Sequence, residues 1–129
     1  MIKYFLLNGV LNFICIILWV IISGQPGGNV GMLPVLTLIF AGLQLLLGSI
    51  TMIFVPNKIR TLYQKMIIMF YYLILFELSF LLLGDIPPIM NVFNESLSGV
   101  SSRGLSFSSL FSTGLTVILM VFIERKMAN

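Results

Sequence analysis

An all-α integral membrane protein, built as a bundle of four transmembrane helices, is the fold this sequence predicts, and three observations predict it. Of 129 residues, 59% are hydrophobic and 9% charged, and the mean hydropathy is +1.12, which leaves too little polar surface to coat a water-soluble globule. The apolar residues gather in four stretches, each close to the ~20 residues a helix needs to cross the hydrocarbon. Among seven Lys and Arg and four Asp and Glu, Glu77 alone falls well inside a stretch. One domain accounts for residues 1–129, because four spans and their turns use up that length.

The first span is predicted from about Tyr4 to Ile22. It carries Lys3 ahead of an apolar run of signal-peptide type, but the run is long and no small-x-small cleavage pattern follows it, so it is expected to be retained. The second is predicted from about Met32 to Val55, the third from about Leu62 to Leu83 and the fourth from about Leu105 to Ile123. Uncharged Gly/Pro residues (23–31) separate the first pair, a basic segment (56–65) the second, and a longer Gly/Ser/Pro segment (84–104) the last. In that last segment Pro87 and Pro88 can open a helix, Ile89 or Met90, Phe93 and Leu97 share a face, and Gly99 can end it. A short amphipathic helix on the outer surface is therefore predicted, with Phe93 and Leu97 as candidate contacts.

Basic residues give the orientation. Lys3, Lys58, Arg60, Lys65, Arg125 and Lys126 fall on one side and Arg103 on the other, so both termini are predicted in the cytoplasm and the protein in the plasma (inner) membrane. Lys58, Arg60 and Lys65 are placed where anionic headgroups or a cytoplasmic protein would meet them.

Small and polar residues mark the faces on which helices should meet. Thr37, Ala41, Gln44, Gly48 and Thr51 alternate at spacings of four and three along the second span. Asn8, Asn12, Cys15 and Trp19 mark the first span, and Ser109, Ser112 or Thr113, and Thr116 the fourth. The third span differs, because the Glu77 side of it is otherwise Phe70, Leu73, Phe80, Leu81 and Gly84. Partners for Glu77 must come from other helices. At 1.5 Å of rise per residue, Glu77 is level with Thr37 to Ala41 and with Ser109 to Thr113, and a cluster of Glu77, Thr37, Gln44, Ser109, Ser112 and Thr113 is expected.

An acidic group in hydrocarbon is rare enough to mark a functional-site hypothesis. Glu77 could handle a proton or cation, could hold helices together by hydrogen bonding, or could meet a basic group on another subunit. Other chemistry is scarce. The chain has no histidine, which excludes His-ligated haem and metal sites and His-based triads. Cys15 reads as a small buried hydrophobe. No two carboxylates share a helical face, and no glycine-rich phosphate loop is present. The chain is expected not to be an enzyme, with no catalytic or metal-ligating residue, no cofactor and no nucleic-acid partner. Two roles remain: a non-catalytic accessory or interaction subunit of a larger membrane complex, or a small proton- or ion-coupled transporter or channel component working as a homo-oligomer through Glu77.

Overall fold

The computed structural model describes residues 1–24, 28–55, 61–93 and 97–128, and all its regular structure is helical. Helix α1 covers Ile2–Ser23, a single turn α2 Gly28–Gly31, α3 Leu33–Phe54, α4 Leu62–Leu82 and α5 Leu97–Ala128, with a 3₁₀ turn at Pro88–Asn91 before α5. Helices α1, α3, α4 and the Gly99–Met127 part of α5 are each long and apolar enough to cross a membrane.

Local chemistry sets the ends of these helices. Gly24 closes α1 at φ 64°, a left-handed conformation that glycine adopts without steric cost. Pro34 sits in the first turn of α3, where a missing N–H leaves nothing unsatisfied. That helix stops before Val55, whose successor Pro56 disfavours helical backbone. Thr61 caps α4: its hydroxyl accepts from the Gln64 amide while the Gln64 side chain accepts from the Thr61 amide. At the other end of α4, Gly84 at φ 80° donates to Leu81 O and Asp85 donates to Phe80 O, a paired closure that fixes where Asp85 stands.

The fourth span is longer than its sequence reading. Gly99 to Gly104 was expected as loop beyond a short amphipathic helix, yet α5 runs through it; of that predicted helix, residues 94–96 lie outside the described residues. Pro88–Asn91 makes a 3₁₀ turn, and Leu97 opens α5. Packing overrides the weak helix propensity of serine and glycine here. Gly104 lies so close to Trp19 of α1 that an added Cβ would come within 2.5 Å of the indole, so only glycine lets the two helices approach.

Helix α1 packs against α3 and α5, and α4 closes the bundle against the same two. The surface is apolar: Leu6, Val10, Leu18, Leu46, Ile53, Ile74 and Phe122 are among many large exposed hydrophobics, as a lipid-solvated bundle requires. Polar groups are inside. Asn8, Asn12, Thr37, Gln44, Ser106, Ser109, Ser112, Thr113 and Thr116 are all buried. Two apolar clusters flank them. Near the chain termini Tyr4, Phe5, Met69, Tyr72, Leu75 and Met120 pack together, with Phe5 stacked on Tyr72 at 4.1 Å. At the opposite end Ile16, Val30, Leu33, Phe40, Phe76, Phe80 and Leu105 do so, with Phe40 stacked on Phe80 at 3.5 Å.

Candidate functional site

Among the described residues, the acidic side chains fall in two places, one at each end of the bundle. At the terminal end Lys65 of α4 donates to Glu124 Oε2 of α5 at 2.6 Å, and Tyr4 of α1 donates to Glu124 Oε1 at 2.7 Å. The ammonium of Lys3 lies over the Tyr4 ring, 4.8 Å from its centroid. One carboxylate thus ties three helices together, and the two side chains of the ion pair are only 18% and 21% exposed. Lys65, expected to meet anionic headgroups or a cytoplasmic protein, is paired with Glu124. Sequence reasoning missed this network because its members are 59 and 120 residues apart; the usable signal was an acidic residue beside Arg125 and Lys126 at the end of a span.

At the opposite end Glu77 is half-buried, and its Oε2 accepts from the backbone amide of Ile89 in the 3₁₀ turn at 3.1 Å. The Ser106 hydroxyl of α5 faces the same carboxyl but falls short of hydrogen-bond geometry, leaving Ser106 Oγ buried and unpaired. The carboxyl therefore pins the connecting turn to α4. Among the described residues, no hydrogen bond joins Glu77 to Thr37, Gln44, Ser109, Ser112 or Thr113.

Those five are nevertheless buried in the bundle. Gln44 Nε2 donates to Tyr72 O at 2.7 Å, across the α3–α4 contact. Ser109 donates to Ser106 O, Ser112 to Ser109 O and Thr116 to Ser112 O, each hydroxyl folding back onto its own helix. Asn8 Oδ1, Asn12 Oδ1, Thr37 Oγ1, Gln44 Oε1 and Thr113 Oγ1 are buried without a partner. An unpaired buried polar atom costs about 1–3 kcal/mol, so among the described residues the interior of α1, α3 and α5 carries most of that cost.

The expected packing stripe is partly seam and partly edge. Gly48 is required: a Cβ there would lie 2.7 Å from the Tyr72 ring and 3.3 Å from Phe5. Ala41 and Thr51 are half-buried at the margins of α3, and Thr51 donates to Leu47 O. Cys15 is a half-buried free thiol on an apolar groove of about 500 Å³ between α1 and α5, lined also by Leu18, Trp19, Phe107 and Phe111. Phe93 is 94% exposed. Lys58 and Arg60 lie outside the described residues, as does the side chain of Leu97. Among the described residues, no three His, Cys, Asp or Glu side chains converge as metal ligands.

No protein family, curated protein or solved structure matches this chain.

Proposed function

We propose that this protein is a non-catalytic accessory or interaction subunit, packed in the membrane against a larger complex, with both termini in the cytoplasm and the bundle in the plasma (inner) membrane. The observation that carries the reading is what the two carboxylates, Glu77 and Glu124, touch. Glu124 binds Lys65 and Tyr4 and Glu77 binds the Ile89 amide. Both hold this chain's own elements in place, as architectural residues do. The groove between α1 and α5 supplies an apolar seat that a partner helix would fill with large side chains, a mode of association that membrane helices use where packing replaces the hydrophobic effect. Exposed Phe93 and the basic residues Lys3, Arg125 and Lys126 extend the contact to the two surfaces, the latter also favouring an anionic leaflet.

The test is purification from native membranes in mild detergent followed by intact-complex mass measurement. Foreign subunits in fixed stoichiometry support the reading, and a symmetric oligomer of this chain alone defeats it. Leu110→Trp, which fills the groove, should release the partner.

A second reading, a proton- or ion-coupled transporter or channel component acting as a homo-oligomer, is favoured by the unpaired column of Asn8, Asn12, Thr37, Gln44 and Thr113. Glu77→Gln separates the two: loss of transport from an intact bundle supports a coupled role, and unchanged activity removes it.

A further inference from the structure

A cavity of about 380 Å³ opens at the end of the bundle distant from the termini, where α3, α4, the 3₁₀ turn and α5 meet. Its volume lies within the roughly 300–1,000 Å³ of small-molecule sites. The floor is apolar, formed by Phe40, Phe80 and Leu105, and the rim is polar, with Asp85, Asn91 and Ser102. Phe40 and Phe80 are stacked on each other and almost fully buried, so the floor is rigid.

The backbone of the rim is held as well. The backbone of Asp85 is held by its amide bond to Phe80 O and by the left-handed Gly84 before it, while its exposed carboxylate has no side-chain partner among the described residues. Pro88 and Asn91 line the cavity from the 3₁₀ turn, and the Ile89 amide between them is the one bound by Glu77. Glu77 is thus a positioning residue for that wall. Arg103, the basic residue of this end, is not among the lining side chains.

We propose that this cavity binds a lipophilic monocation, an aromatic or short-chain quaternary ammonium compound, with its apolar part against Phe40, Phe80 and Leu105 and its charge beside Asp85. A largely apolar pocket with one carboxylate at its rim complements such a molecule in both halves. A neutral ligand would leave the carboxylate unanswered, and an anion would be repelled.

The experiment uses the full chain in an uncharged maltoside detergent, with benzyltrimethylammonium as probe and calorimetric titration as readout. Saturable one-to-one binding is expected, with Asp85→Asn weakening it about three- to fivefold, the scale of a single charge contact at an exposed rim. Asp85 supports the fold through its backbone, so this variant should keep the wild-type circular dichroism. Ser102→Phe, which fills the cavity from a second helix, should abolish binding, and Lys126→Gln at the opposite end should bind as wild type. The absence of saturable binding overturns the proposal. So would equal affinity in Asp85→Asn, or equal binding of the uncharged carbon isostere 2,2-dimethylpropylbenzene. None of these outcomes bears on the accessory-subunit reading, whose partner seat is the groove between α1 and α5.

Discussion

The two ends of this bundle solve the same problem, a carboxylate among apolar helices, in different ways. At the terminal end Glu124 is answered by a full opposite charge and a phenol, from two other helices. At the far end Glu77 is answered by a backbone dipole from the adjoining turn, and Asp85, with no side-chain partner among the described residues, lines a cavity. The first arrangement welds α1, α4 and α5 together. The second secures a short connection and leaves the neighbouring space open. Where a charge is matched by a charge, separate helices are held to one geometry, and where it is matched by an amide, a turn is held to the helix beside it.

Four substitutions sharpen or break that contrast, each read by unfolding in mixed micelles. Gly48→Val should have the largest effect, about 2–4 kcal/mol or failure to fold, because its side chain would enter the space of the stacked Phe5 and Tyr72 rings. Lys65→Met should cost about 1–2 kcal/mol, below the range for a fully buried pair because both partners keep some exposure, and much of it should return in Lys65→Met/Glu124→Met. Recovery in the double variant would show that the loss comes from a stranded carboxylate; no recovery would mean that the pair itself stabilises the bundle. Tyr4→Phe should cost about 1 kcal/mol, one hydrogen bond to a carboxylate that keeps Lys65. Glu77→Gln should be the mildest, below about 0.5 kcal/mol, since an amide oxygen still accepts from Ile89. Hydrogen exchange at the Ile89 amide should be unchanged in that variant and faster in Glu77→Leu. Equal losses at Lys65 and Glu77 would erase the distinction between the ends.

The four long helices were legible because lipid imposes a coarse demand, a run of apolar residues of a given length, that composition meets openly. The inward positions of Asn8, Asn12, Thr37, Gln44, Gly48, Ser112 and Thr116 were legible for a related reason, since a polar group facing lipid is penalised and helical periodicity then says which side is inside. Three things were not. Serines and glycines at 99–104 read as loop because their helix is imposed by the fit of Gly104 under Trp19, a contact no local pattern records. The partner of Glu77 is a main-chain N–H, and every residue except proline carries one, so residue type gave no clue. The Lys65–Glu124–Tyr4 network joins groups from separate helices, each of which alone looks like an ordinary interfacial residue.

The closeness of α1 to α5 also bears on how the bundle is assembled. Within this chain α1 is made before its companion α5, so Asn8, Asn12 and Tyr4 enter the bilayer before α5, with Glu124, exists to cover or bind them. Until then the newborn first helix must expose two carboxamides to acyl chains or lean on the insertion machinery. Completion of the fold is therefore a late, long-range event, with the opening helix waiting on the closing one.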